Sequence, residues 1–340
     1  MTPETTQHVP EEQFDSLPFP YSQRPYCPYE PVEKRIQKIR VLVVNDLLRD
    51  ESDLSEVARR EWGGSAAAKL ERERYVSALA VDNIVNNIRR LVAEPEVEVA
   101  HLSEAAEAAA RFRPEAVVLS GTLSDFDYYD PAMLRRFAAW AVRTTTPILG
   151  ICGGHQLIGL CFGMGCVTLD NQAPVERRDG RNFEYQYRFI RITDPEDPIF
   201  RGIRNRDAGV WQDYTTEGRN LRVWQNHGLQ LPRLPEGFKL LATSYLCRNQ
   251  MMVKRADGQL IYTVQFHLEK SFQDLTKSLQ RVNPNLSPEE RKRVLREEAS
   301  ARTLWAHPNE SRDGRILFQN FLALALEHNK SAGQDGRAGG

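Results

Sequence analysis

Apolar positions along this chain occur in short continuous runs that alternate with longer amphipathic segments. The short runs have the length of buried strands, and the longer segments repeat their apolar residues every three or four positions, as one face of a helix does. Strands are predicted at residues 40–44, 97–99, 116–119 and 148–151, and helices at residues 75–92, 102–111 and 133–142. This alternation, with short connections, favours a parallel sheet covered by helices on both faces. We therefore predict the α/β class with a doubly wound, mostly parallel sheet.

The middle of the chain shows a different pattern. Between residues 167 and 242, polar and apolar residues alternate over short stretches, as in the segment YQYRFI at residues 185–190. A period of two is typical of strands with one buried face. We expect this part to form a small β-rich flank beside the main sheet.

Irregular segments set the expected domain boundaries. Residues 1–37 are rich in proline and aromatic residues and lack periodicity, so they form an arm that either lies over the domain or docks into a partner. The main domain covers residues 38–328, with insertions at about 47–73 and 272–310. The second insertion includes a charged helix that opens with the capping box SPEE; it is either a solvated bridge or a partner surface or lid. Residues 329–340 are expected to be a flexible tail.

Composition narrows the function classes. With a formal net charge of −1, the chain has no basic field that would attract nucleic acid. Its five cysteines have no regular spacing, which argues against a disulfide framework, and Cys161 and Cys166 lack the C-x-x-C spacing of a metal site. The sequence shows no signal peptide and no long apolar span, so we expect a cytoplasmic protein without membrane association.

The strongest chemical signal is the segment GICGGHQ at residues 150–156, which lies between a predicted strand and a predicted helix. Glycines suit such a sharp reversal because the backbone must adopt angles that a side chain resists, and because helix and strand must approach closely. Cys152 takes the nucleophile's place in a turn of the G-x-S-x-G kind, at a helix N-terminus that favours the thiolate. We therefore predict that Cys152 is a catalytic nucleophile.

A base and an orienting group for this nucleophile follow the apolar run at residues 260–264. Residues i and i+2 of an extended chain point to the same side, so His267 and Glu269 can face each other. Glu269 would then hold the imidazole in one tautomer while His267 exchanges protons with the Cys152 sulfur. A buried cysteine at a turn, or a partly buried histidine at a strand end, is common without any catalytic role. Finding both at strand ends favours a catalytic triad.

These two segments, GICGGHQ at residues 150–156 and VQFHLE at residues 264–269, resemble the class I (triad) glutamine amidotransferases. Further stretches match that family in the same order along the chain: VVLSGT at residues 117–122, VWQNHG at 223–228, LPEGF at 234–238 and RILFQNFL at 315–322. The resemblance implies a flavodoxin-like fold. It also implies hydrolysis of glutamine through a thioester, with no metal and no organic cofactor.

The resemblance assigns further site residues. The backbone N–H groups of Thr122 and Gly153 would form the oxyanion hole, and His155 would pack behind the elbow. The residues expected to bind the substrate are Gly121, Gln156, Asn226, His227 and Gly228. The chain departs from the family at Thr122, where a glycine is usual, and at Gly153, where many relatives carry a larger apolar residue. Leu268 replaces the usual proline; none of these departures removes a catalytic group.

Members of this family use the ammonia at a second active site, on the same chain or on a partner. This sequence contains no P-loop pattern and no synthetase segment, so we expect a separate synthetase or another ammonia acceptor. Two alternatives stay open: a stand-alone hydrolase or transferase of γ-glutamyl compounds, and a non-catalytic regulatory relative that keeps the fold. The intact Cys152, His267 and Glu269 argue against the second alternative.

Overall fold

The computed structural model describes residues 33–203, 220–269 and 312–338. The expected insertion at residues 272–310, with its charged helix, lies outside these residues, as does most of the expected arm at residues 1–37. The central sheet and the helices that cover it lie within the three described ranges.

A nine-stranded sheet forms the centre of the protein. The strands are β1 (Ile36–Asn45), β2 (Val92–His101), β3 (Ala116–Leu119), β4 (Ile148–Ile151), β5 (Val167–Thr168), β6 (Glu184–Ile192), β7 (Asn220–His227), β8 (Leu229–Gln230), β9 (Lys239–Thr243), β10 (Met251–Lys254) and β11 (Ile261–Val264). The order in the sheet is β2-β1-β3-β4-β11-β10-β9-β6-β7, and β5 pairs with β8 in a separate two-stranded sheet. Strands β2 to β11 in that order pair in parallel, and the pairs from β11 to β7 are antiparallel.

Helices cover both faces of the parallel half. The helices are α1 (Glu56–Trp62), α2 (Ala66–Leu91), α3 (Ala105–Phe112), α4 (Pro131–Ala141), α5 (Gly153–Cys161) and α6 (Arg312–Ala338). In β1, Val41 and Val43 belong to one hydrophobic cluster and Leu42 and Val44 to another, because successive side chains of a strand point to opposite faces. The first cluster includes residues of α2 and α6, and the second includes residues of α1, α3, α4 and α5. This arrangement confirms the predicted doubly wound α/β fold.

The region after β1 is more helical than the polar insertion expected at residues 47–73. A 3-10 turn at Glu51–Asp53 is followed by α1, and α2 already begins at Ala66. Local capping explains α1, since Ser55 Oγ accepts a hydrogen bond from the Ala58 N–H at 3.1 Å. Burial of Trp62 against the second cluster then holds this short helix in place.

The β-rich part and the C-terminus also differ from expectation. Strands β6 and β7 extend the main sheet through β9, because an open sheet edge offers unpaired backbone groups to the next strand. Helix α6 covers most of residues 329–340, where we expected a flexible tail. Asn329 Nδ2 anchors this part of the helix by donating to the Glu115 carbonyl at 2.9 Å. Within the described residues, no helix is long and apolar enough to cross a membrane.

Candidate active site

Cys152 occupies a strained turn between β4 and α5. Its φ of 52° lies in the left-handed region, which residues with side chains seldom adopt. Neighbouring glycines make the turn possible: a Cβ on Gly150 would lie 2.6 Å from the Gly154 carbonyl oxygen, and one on Gly154 would lie 2.7 Å from the Leu119 Cβ. The Cys152 N–H donates to the Val264 carbonyl at 2.7 Å, which ties the turn to the end of β11. The turn therefore fixes the sulfur at the carboxyl ends of the parallel strands.

His267 and Glu269 follow directly after β11. His267 Nδ1 lies 2.7 Å from Glu269 Oε1, and both residues are buried. An ionised carboxylate can only accept a hydrogen bond, so Nδ1 carries a proton and Nε2 of the neutral ring is left as the base. The His267 N–H donates to the Trp224 carbonyl at 2.8 Å, and Asn87 Nδ2 of α2 donates to the Glu269 carbonyl at 2.6 Å. Backbone and side chain of this pair are thus both fixed.

The cysteine and the histidine meet over Gly121, just after β3. A Cβ built on Gly121 would lie 3.4 Å from His267 Cε1 and 3.7 Å from Cys152 Cβ. The imidazole and the cysteine side chain therefore share one small region at the carboxyl ends of β3, β4 and β11. Doubly wound sheets place their sites at this edge.

Thr122 and Gly153, the expected oxyanion donors, are in direct contact. A Cβ on Gly153 would overlap with the backbone nitrogen and the side chain of Thr122. The two departures from the family pattern therefore compensate for each other, because the Thr122 side chain fills the space that a larger residue at position 153 would need. The Gly154 N–H donates to the Ser120 carbonyl at 2.9 Å and holds the two segments together. The role of both N–H groups in an oxyanion hole stays a prediction.

The loop that carries Thr122 is held from two sides. Ser124 Oγ donates to Glu73 Oε1 of α2 at 2.5 Å. On the other side, Asp125 accepts from Arg181 Nη1 at 2.7 Å and from Arg178 Nη1 at 2.6 Å. Glu73 is buried, and this burial raises the pKa of its carboxyl to about 7. A helix from the expected insertion at residues 47–73 therefore contributes to the position of this loop.

The residues expected to bind substrate fall into different surroundings. The Asn226 carbonyl oxygen lies 3.9 Å from Cys152 Sγ, and Gly228 packs against the Phe183 ring, 3.1 Å from the position of a Cβ on Gly228. His227 uses both ring nitrogens inside the protein: Nδ1 lies 2.9 Å from the Leu229 carbonyl and Nε2 lies 3.1 Å from Glu184 Oε2. His227 therefore supports the wall of the site rather than presenting a nitrogen to a substrate.

Gln156 and Gln265 form a buried pair next to the nucleophile. Gln156 Nε2 lies 3.2 Å from Gln265 Oε1, and Gln265 Nε2 lies 3.8 Å from Cys152 Sγ. Sequence reasoning assigned Gln156 to the substrate and did not single out Gln265. The signal was present, because Gln265, His267 and Glu269 are two residues apart and an extended chain directs them to the same side.

Other polar residues near the elbow are chemically quiet. His155 is fully buried, with Nδ1 2.7 Å from Thr263 Oγ1, and burial lowers its pKa to about 3, so it packs behind the elbow as a neutral ring. Burial also raises the pKa of the Cys161 and Cys166 thiols to about 12. Neither cysteine forms a thiolate near neutral pH, which leaves Cys152 as the candidate nucleophile of the site.

Comparison with known proteins places this geometry in a family. The model of the class-I glutamine amidotransferase family matches residues 79–281, more than half of the chain. The chain therefore belongs to the class-I glutamine amidotransferases, as its motifs predicted.

Curated relatives share part of their length with this chain. The glutaminase-type subunit of the glutamine-hydrolysing GMP synthase from Thermococcus kodakarensis is 41% identical over 123 residues, which are 36% of this chain and 50% of the relative. The glutamine-hydrolysing GMP synthase of Ralstonia pickettii is 33% identical over 172 residues, which are 50% of this chain and 27% of the relative. The chain thus spans half or less of the length of these relatives.

Solved structures confirm the flavodoxin-like fold. A glutamine amidotransferase from Thermotoga maritima aligns with a TM-score of 0.50 at 16% identity, over 85% of this chain and 98% of that chain. A candidate GMP synthase subunit from Thermoplasma acidophilum aligns with a TM-score of 0.50 at 19% identity, over 86% and 97% of the two chains. At these identities the likeness concerns the fold.

Proposed function

We propose that this chain is a glutaminase that hydrolyses the side-chain amide of glutamine through a thioester on Cys152 and supplies ammonia to a separate synthetase. The observation that carries the proposal is the His267–Glu269 pair at 2.7 Å, which shares the space over Gly121 with Cys152. Membership of the class-I family supports it, as do the relatives, which are described as glutamine-hydrolysing.

The geometry supports the following sequence of steps. Cys152 Sγ gives its proton to His267 Nε2 and attacks the amide carbon, and the N–H groups of Thr122 and Gly153 stabilise the resulting oxyanion. The imidazolium, held by Glu269, returns the proton to the amide nitrogen; the C–N bond breaks and ammonia leaves a thioester. Water then gives a proton to His267 and attacks the thioester, and the sulfur leaves as a thiol while glutamate is released.

Ammonia release from glutamine by the purified chain tests this proposal. We expect Cys152→Ala to abolish the release while the protein stays folded, because the change removes the nucleophile and little volume. Cys166→Ala is the matched control and should keep the wild-type rate. Wild-type hydrolysis by Cys152→Ala would refute the proposal. Faster turnover of γ-glutamyl amines than of glutamine would favour the stand-alone hydrolase instead.

The acceptor is part of the proposal. The names of the relatives suggest a synthetase of the GMP synthase type, located with this chain in the cytoplasm. A pull-down from cell extract followed by identification of the bound protein tests the partner, and cell fractionation tests the location. A chain that purifies without any synthetase and hydrolyses glutamine at full speed would contradict this part of the proposal.

A further inference from the structure

Gln265 lies beside the nucleophile in a fully buried position. Its Nε2 is 3.8 Å from Cys152 Sγ, and its backbone N–H donates to the Gln250 carbonyl at 2.8 Å. A side-chain amide keeps its shape when it is turned by half a rotation, so its neighbours must decide which end faces the sulfur. That choice has a chemical consequence, since the nitrogen end donates a hydrogen bond and the oxygen end accepts one.

Gln156 and Leu229 decide the orientation. Gln156 Nε2 lies 3.2 Å from the Leu229 carbonyl oxygen, which can only accept, so this end of Gln156 must be the nitrogen. The same nitrogen lies 3.2 Å from Gln265 Oε1, which must therefore be the accepting oxygen. The N–H end of Gln265 is left facing the sulfur. His227 Nδ1 approaches the Leu229 carbonyl at 2.9 Å and holds this acceptor in place.

A donor at this position acts on the charge state of the sulfur. Hydrogen bonds to an ionised acceptor are stronger than those to a neutral one, so an N–H group facing Sγ favours the thiolate over the thiol. The Asn226 carbonyl oxygen, 3.9 Å from Sγ, can only accept and so favours the thiol. Gln265 offsets this effect in a site where water contributes little, because Cys152 is buried.

We propose that Gln265 is a catalytic residue that donates a hydrogen bond to the Cys152 sulfur and stabilises the thiolate, and that Gln156 is the positioning residue that fixes this amide. The proposal rests on the proposed function, since it names a further participant in the same reaction. It gives Gln156 a role inside the protein in addition to the substrate contact expected from the family.

The test measures alkylation of Cys152 by iodoacetamide as a function of pH, with the modified peptide quantified by mass spectrometry. The variants are Gln265→Met, Gln265→Glu and Gln156→Met. The matched control is Gln259→Met, because Gln259 is also buried and donates to the carbonyls of Ala141 at 3.2 Å and Thr144 at 3.0 Å, before the start of β11. His267 and Glu269, the titratable pair beside the sulfur, stay unchanged in every variant, as does the neighbouring Cys247.

For Gln265→Met we expect the pH midpoint of alkylation to rise by about one unit, which is a roughly tenfold loss of thiolate below the midpoint. Gln265→Glu keeps the acceptor for Gln156 and replaces only the N–H end, so its shift should be at least as large. Gln156→Met should shift the midpoint less, in the same direction. Gln259→Met should lower the melting temperature and leave the midpoint unchanged.

An unchanged midpoint in folded Gln265→Met and Gln265→Glu would overturn the proposal, and so would an equal shift in Gln259→Met. Alkylation requires no substrate, so the result is separate from the proposed function. If the wild type fails to hydrolyse glutamine, the proposed function fails, while a shifted midpoint still supports the contact between Gln265 and the sulfur.

Discussion

Glu73→Gln should stabilise the protein at high pH and have little effect at low pH. Glu73 is 1% exposed, and burial raises the pKa of its carboxyl from 4.5 to about 7. Its Oε1 accepts from Ser124 Oγ at 2.5 Å. Glutamine keeps an acceptor for Ser124 and has nearly the same shape, so the substitution removes the ionisation and preserves the contact.

The magnitude follows from the two pKa values. The folded state binds the proton more tightly than the unfolded state, so the free energy of unfolding falls as the pH rises between 4.5 and about 7. The loss is about 1.4 kcal/mol per pH unit across this interval and levels off at about 3 kcal/mol above it. At pH 5 the cost is still below about 1 kcal/mol, so the gain from Glu73→Gln should be about 2.5 kcal/mol larger at pH 8 than at pH 5.

Urea denaturation of the wild type and the variant at pH 5 and pH 8 measures this difference. Glu71→Gln is the matched control, because Glu71 is an exposed residue of the same helix, and it should change the free energy of unfolding little at either pH. An equal gain at both pH values would show that the ionisation of Glu73 does not cause the effect. A loss of stability at pH 8 would show that the protein depends on the carboxylate and would refute the reasoning.

Three further predictions concern the site. Gly153→Ala should lower kcat strongly because its Cβ overlaps with Thr122, and Thr122→Gly in the same chain should restore part of the rate; a fully active single variant would contradict the close contact. His267→Ala should reduce kcat more than Glu269→Gln, because the base transfers protons and the carboxylate only orients it; equal losses in the two variants would argue against this division of roles. The isolated chain should release ammonia slowly, and its synthetase should accelerate the release at least tenfold, about 1.4 kcal/mol of barrier; an unstimulated rate would count against such coupling.

The sequence by itself determined the local parts of the site. A strand, a glycine-rich turn and a helix are encoded in one short segment, so the position of Cys152 at an elbow could be predicted from residues 150–156. The pairing of His267 with Glu269 follows from a spacing of two residues in extended chain. The alternation of strands and helices likewise sufficed for the parallel, doubly wound half of the sheet.

The tertiary structure decided what depends on residues far apart in the chain. Gln156 meets Gln265 across 109 positions, and Glu73 meets Ser124 across 51, and no local pattern encodes either contact. The antiparallel strands β6 and β7 joined the main sheet because its edge was open to them, although their own pattern suited a separate flank equally well. Backbone preferences fix turns and neighbouring side chains, whereas the packing of the whole chain selects which buried polar groups become partners.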